Sequence, residues 1–325
     1  MRIAVTGSIA TDHLMSFAGR FSDQFVAEQL ENVSLSFLVN NLDIRRGGVA
    51  ANIACALGRL GLSPVLVGAV GRDFDDYRSW LERHRVDVGS VHVSADKHTA
   101  RFLCTTDEAQ NQIASFYAGA MSEAREIELG AVADRVGALD LVLIAPNDPV
   151  AMLRHTEECR QRGYTFAADI SQQLAIMPGE DVRKLVEGAA YLFTNEYEAS
   201  LLLKHTGWTR EQVLGRVGSW VTTYGPKGAT VEGRGHEPIS VDAVPGVDVV
   251  EPTGAGDAFR AGFLWGLSTK MSLERAAQAG CVLAGIVLES VGPQEYTLDR
   301  TDFSGRAARA YGGRAAAEIE SKLRV

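Results

Sequence analysis

The sequence predicts an α/β protein, with a mostly parallel central sheet covered by helices on both faces and a small β-sheet layer over one end. Three observations predict it. Short apolar runs at residues 3–7, 65–70, 141–145, 165–168, 191–194 and 220–224 alternate with amphipathic helical patterns at 49–60, 74–84, 149–162, 181–187 and 196–205. The runs are continuously apolar, as strands buried on both faces are. Two segments, within 13–46 and 99–117, instead alternate apolar and polar residues, which does not fit the middle of such a sheet.

Taken in order, "IAVTG" is the first strand, and it runs into "TGSIATD" at 6–12. Within 13–46, "VSLSFLVNNLDI" has the period of a half-exposed strand. "RRGGVAANIACALGRLG" then opens a helix on paired glycines. "TARFLCTTDEAQNQIASFY" at 99–117 holds two alternating runs around a polar turn, a hairpin signal. Strand–helix pairs follow to residue 205 and a strand at 220–224. Residues 247–250 read as a short strand before "EPTGAGDAFRA". After that turn Phe259, Phe263, Leu264 and Leu267 fall at helical spacing. Helices at 273–288 and about 303–322 close the chain. No repeat, low-complexity tract or linker divides residues 1–325, so they read as one domain with a lid from about 13–46 and 99–117.

Composition narrows the function. A chain of 325 residues with 46% apolar and 22% charged residues is ordinary for a globular enzyme. A net charge of −9 argues against nucleic acid, whose phosphates call for clustered Lys and Arg. No apolar run reaches membrane-spanning length. Cys55, Cys104, Cys159 and Cys281 are far apart and read as buried thiols in a reducing compartment. The N-terminus reads as a strand rather than a signal peptide, so a cytoplasmic location is expected. Seven histidines show no zinc-ligand spacing.

The chemistry-bearing motifs all follow strands. In "EPTGAGDAFRA", Gly254, Ala255 and Gly256 leave backbone N–H groups open at a helix N-terminus, which favours an anion. Asp257 stands on the same turn. The spacing is neither a dinucleotide fingerprint nor a Walker loop. Gly47 and Gly48 precede a helix carrying Asn52, whose amide suits sugar hydroxyls. Asp12 follows the first strand. Asn195 and Glu198, three apart, share one helix face. They suit phosphate oxygens and a hydrated Mg²⁺, or an ordinary helix cap. "TYGPKG" at 223–228 suits a nucleotide phosphate or a plain hairpin turn.

Together these stretches resemble the ribokinase-like (PfkB) family of sugar and nucleoside kinases over nearly the whole chain. "GGVAANIACALGRLG" and "EPTGAGDAFRAGF" are similar to its two signatures, "NEYE" to its N-x-x-E and "TYGPKG" to its nucleotide loop. "IAVTGSIATDHLM", "SLSFLV", "ARFLCTT", "QIASFY" and "DISQQLA" carry a likeness to the bacterial adenosine kinases within it.

The resemblance implies that the amides of Gly254, Ala255 and Gly256 hold the moving γ-phosphoryl group and that Asp257 is the base. It implies ATP at Asn195, Thr223, Gly225, Pro226, Lys227, Gly228 and Gly256, with Mg²⁺ near Glu198 through water. Asp12, Gly48 and Asn52 would hold the ribose, with Ser8 and Ser36 lining the pocket. Phe102 and Phe116 would sandwich a purine whose edge Gln172 and Gln173 read. Glu251 stands where the family usually has the Asp that helps hold a monovalent cation, K⁺. Ile176 stands near the place of a phosphate-contacting arginine, a role open to Arg45 or Arg46.

The implied activity is adenosine kinase, giving AMP in purine salvage. A kinase of ribose, fructose or a related sugar is the alternative, and a silent nucleoside sensor would have no need of Asp257. The implied partners are adenosine, ATP and a second copy bound through the lid strands.

Overall fold

The computed structural model describes residues 1–25 and 35–324. Residues 26–34 of the expected lid lie outside the described residues. Among the described residues the strands are β1 (Ile3–Thr6), β2 (Ala10–Phe17), β3 (Val39–Gly47), β4 (Val65–Val67), β5 (Ala69–Val70), β6 (His92–Val93), β7 (Ala100–Thr106), β8 (Gln112–Tyr117), β9 (Leu141–Ile144), β10 (Phe166–Asp169), β11 (Tyr191–Asn195), β12 (Ser219–Thr223), β13 (Ala229–Gly233) and β14 (Ile239–Val241). The helices are α1 (Val49–Arg59), α2 (Asp75–Arg83), α3 (Leu129–Val136), α4 (Pro149–Arg162), α5 (Gly179–Val186), α6 (Glu196–Thr206), α7 (Arg210–Leu214), α8 (Ala255–Ser268), α9 (Leu273–Leu288) and α10 (Arg300–Glu320).

The central sheet runs β14-β13-β12-β11-β10-β9-β1-β4. From β12 to β4 every pairing is parallel, and β13 and β14 join antiparallel at one edge. Alternate residues of each parallel strand feed two separate cores. Ile3, Val5, Leu141 and Leu143 pack with α1, α8 and α9, whereas Ala4, Val142 and Ile144 pack with the helices between α3 and α7. A strand with both faces buried has no reason to alternate in polarity, which is why these runs are continuously apolar.

A second, four-stranded sheet runs β3-β2-β7-β8. It is the expected β layer, and its β2 begins at Ala10, so Asp12 lies on a lid strand rather than in the loop after β1. The strand expected at 247–250 does not form. That segment belongs to neither sheet, and Val249 and Val250 are exposed. Three valines and an aspartate cannot make a strand without an edge to pair with, and here only Val250 and Glu251 meet a carbonyl, that of Leu288. The antiparallel pair β13–β14 was not anticipated. The β12–β13 pairing makes the "TYGPKG" stretch a hairpin turn, one of the two readings the sequence allows.

Candidate active site

The carboxyl ends of the parallel strands all open on one edge, where ligands bind in α/β sheets. β10 ends at Asp169, β11 at Asn195 and β12 at Thr223, and β1 leads to Ser8. Helix α8 enters this edge from the opposite side of the chain. Its N-cap, Gly254, has φ of 84°, and a Cβ there would lie 2.4 Å from Cβ of Pro293. Only glycine fits both the turn and that contact. The amides of Gly256 and Asp257 are in the first turn, where no preceding helical carbonyl can accept them.

Asp257 is held from the other half of the chain. Asn52 Nδ2 donates to Asp257 Oδ2 at 2.8 Å. Asn52 is itself fixed, because Gln294 Nε2 donates to its Oδ1 at 2.8 Å. Gln294 is fully buried, and Trp80 Nε1 and Arg59 Nη2 donate to its side-chain and main-chain oxygens. Asn52 sits in the first turn of α1 because Gly48 has φ of 91° and lies against the backbone of Ser8, Ile9 and Ala10, where a side chain would clash. Ser8 Oγ accepts from Val49 N at 3.0 Å, so this predicted pocket residue caps α1.

Burial pushes the Asp257 carboxyl up to about 7, reinforced by Asp169 and Glu198 and opposed by Arg260 and the Asn52 hydrogen bond. A carboxyl poised there can take a proton near neutral pH. Burial also raises Glu198 and, with Glu251 adding to it against Arg45, lifts Asp12 to about 6.

A cleft of about 400 Å³ beside Asp257 is lined by Ser171, Gln172, Asn195, Glu198, Thr223 and Arg260, among others. A second, of about 670 Å³, shares Thr223 and Gly256 with it and continues along Gly225, Pro226 and Gly228 toward Phe259 and Val244. The two adjoin at the first turn of α8. Lys227 is exposed on the hairpin and does not line either. Asn195 and Glu198 form a reciprocal cap on α6, each accepting from the other's backbone N–H at 2.8 Å.

Sequence reasoning missed Arg260 and Asp169. Arg260 is buried, with Nε 2.6 Å from Asp169 Oδ2 and Nη2 donating to Oδ1 at 2.8 Å. Its Nη2 lies 3.9 Å from Glu198. Arg260 lines the cleft beside Asp257, whereas Arg45 and Arg46, to which the sequence leaves the phosphate-contacting role open, are paired with Glu251 and Glu295. The signal was present: Arg260 follows Asp257 by three residues on one helix face, as Asn195 and Glu198 do.

The lid carries the remaining residues. Arg45 pairs with Asp12, Asp12 with Phe102, and Phe102 with Phe116. Cross-strand partners share a face, so these four form one row over four strands. Phe102 and Phe116 are therefore side by side, one wall rather than the two jaws of a sandwich. Ser36 is exposed beside Phe37, which packs on Phe17 and Phe21. That is the far end of β2, five residues and roughly 16 Å from Asp12. Gln172 lines the smaller cleft near Asp257, not the aromatic row. Gln173 Nε2 donates to the Asn147 carbonyl at 2.8 Å, and its buried Oε1 has no partner. Ile176 is 72% exposed. Glu251 is engaged by Arg45 Nη1 at 2.5 Å and Gly292 N at 3.0 Å.

Residues 9–300 match the model of the pfkB family carbohydrate kinases, and the chain belongs to that family of ATP-dependent kinases. It is 32% identical over 272 residues to the nucleoside kinase of Methanothermobacter thermautotrophicus, covering 82% of this chain and 85% of that protein. It is 26% identical over 256 residues to the ribokinase of Bacillus subtilis, covering 76% of this chain and 83% of that protein. Among solved structures, the nucleoside kinase of Burkholderia thailandensis in complex with inosine superposes with a TM-score of 0.84 at 32% identity, covering 95% of this chain and 97% of that one. The central sheet with its lid is thus the ribokinase-like fold.

Proposed function

We propose that the chain is an ATP-dependent nucleoside kinase that prefers adenosine and transfers the γ-phosphate to its 5′-hydroxyl, giving AMP. The observation that carries this reading is the lid row, in which a carboxylate, Asp12, is the cross-strand neighbour of Phe102, and Phe102 in turn that of Phe116. A nucleoside has a polyhydroxyl sugar joined to a flat base, and the row offers a partner to each. Base–aromatic contact contributes on the order of 1–3 kcal/mol per base.

In this reading Asp12 and Asn52 hold the ribose, and Gly48 sets Asn52 in place by letting α1 start against the Ser8–Ala10 backbone. Asp257 takes the 5′-hydroxyl proton. The amides of the Gly254–Asp257 turn, with Arg260 nearby, hold the transferred phosphoryl group. Phosphoryl transfer needs mainly alignment and neutralisation, which these groups provide. ATP lies along the larger cleft, with its phosphates toward Thr223 and Gly256.

Glu198 is one carboxylate, and the described residues contain no cluster of three or more metal ligands. That donor set suits Mg²⁺, which keeps several waters and binds through one or two carboxylates and the substrate phosphates. Mg²⁺ would supply charge neutralisation there. The four cysteines are free and buried, in keeping with a cytoplasmic enzyme of purine salvage. No helix among the described residues is long and apolar enough to cross a membrane.

A sugar kinase is the second reading, favoured by one observation: Phe116 is 52% exposed, so the aromatic wall is not a closed base pocket. A panel of adenosine, inosine, guanosine, ribose and fructose with Mg·ATP separates the two. We expect adenosine to exceed ribose and fructose by about 10³-fold in kcat/KM, because a site built for a group rejects ligands lacking it. Phe102→Ala should harm adenosine use far more than ribose use. Inosine ahead of adenosine would keep the nucleoside class and overturn the adenosine preference. Ribose or fructose ahead of every nucleoside would leave a sugar kinase.

A further inference from the structure

Glu251 begins the phosphoryl-holding turn and is the residue expected to help seat a monovalent cation. Its carboxylate does not fit that task here. Oε2 already accepts two hydrogen bonds, one from Arg45 Nη1 at 2.5 Å and one from Gly292 N at 3.0 Å. The guanidinium is anchored in turn, since Arg45 Nε donates to Asp43 Oδ2 at 2.6 Å. Arg45 and Glu251 are each only about one-fifth exposed, at 19% and 21%. A potassium ion sharing this carboxylate would sit against a fixed positive charge. The segment it would have to organise is also already tied: Gly292 hydrogen-bonds to Glu251, and Pro293 packs on the Gly254 turn. The side chain of Glu, one methylene longer than Asp, spans the distance to the lid strand.

We propose that Arg45 supplies, from within the chain, the positive charge that a monovalent cation would bring to Glu251, and that the kinase therefore works without potassium. Because Arg45 stands near the root of β3, the same ion pair fastens the lid to the phosphoryl-holding turn. Arg46, its neighbour, ties the lid to the segment of Gly292 and Pro293 through Glu295 at 3.3 Å. The proposal rests on reading the Gly254–Asp257 turn as the transfer site.

The test compares KCl, NaCl and choline chloride at matched ionic strength, by turnover and by melting temperature. We expect wild-type turnover to agree within about twofold across the three salts, and its melting temperature to show no potassium-specific rise, since an ion that binds only the folded state must raise it. Arg45→Ala leaves Glu251 uncompensated. It should lose at least about tenfold in turnover and regain part of it in KCl but not in choline chloride. Three results would each overturn the proposal: potassium activation of the wild type beyond twofold, a potassium-specific rise in its melting temperature, or an Arg45→Ala loss that potassium does not relieve. The wild-type arms need no variant, so they decide even if Arg45→Ala fails to fold. A wild type that phosphorylates no acceptor at all would defeat the kinase assignment, while the melting arm would still decide the cation.

Discussion

Asp257 illustrates how one residue's environment sets its chemistry. Its carboxyl is raised to about 7 chiefly by burial. A base acts only when ionised, so turnover should climb as pH rises through about 7, with Asp12, raised to about 6, contributing below that. The folded chain holds the Asp257 proton more tightly than the unfolded chain, where the carboxyl has its ordinary value of 3.8. The associated stability is therefore fully present below about pH 4 and is lost as pH rises through about 7. Asp257→Asn keeps the size and the contact to Asn52 without a charge. It should lower turnover by about 10²-fold or more. It should also melt above the wild type at about pH 8, with the gap closing toward pH 4. Near-normal turnover would remove Asp257 as the base, and equal melting at pH 8 would contradict the buried charge.

At the scale of elements, the outer strands of the lid sheet are the part least held by buried packing. All six residues of β8 are exposed, and the lid contributes only Ala10 and Ala100, with Met121 beside them, to a small apolar cluster. Elements with few buried contacts open at low free energy. The central strands, buried on both faces, do not have that freedom. Nucleoside should close the lid over the transfer site and exclude water from the phosphoryl group. Hydrogen exchange across 99–117 should slow when adenosine is added and stay unchanged across 141–144. Equal rates with and without nucleoside would make the hairpin a fixed wall.

At the scale of the whole molecule, the lid has two unlike faces. One carries the Arg45–Asp12–Phe102–Phe116 row. On the other, one residue out of register, lie Leu42, Ile44, Ile113 and Tyr117, each between 43% and 57% exposed. Water-exposed apolar patches of this kind mark association surfaces, and a second copy presents the same patch. We expect a homodimer in sedimentation velocity, converted to monomer by Ile44→Glu. A monomer at every concentration tested would end the idea.

The sequence by itself determined the alternating strands and helices of the central sheet, because a strand buried on both faces must be apolar throughout and a helix against it must be amphipathic. It also marked the site motifs, since glycines before a helix and polar residues after a strand are local signals. Tertiary structure alone decided what those residues face. Register made Phe102 and Phe116 neighbours on one wall, a pairing that no local period encodes. The missing strand at 247–250 depended on whether an edge was available to pair with it. Gln294, 242 residues from the Asn52 it orients, carries no local motif. Arg45 and Glu251, 206 apart, are two ordinary surface residue types until the lid strand is brought against the turn that opens α8. Long-range hydrogen bonds and ion pairs are formed by the closure of the chain, so only the closed chain displays them.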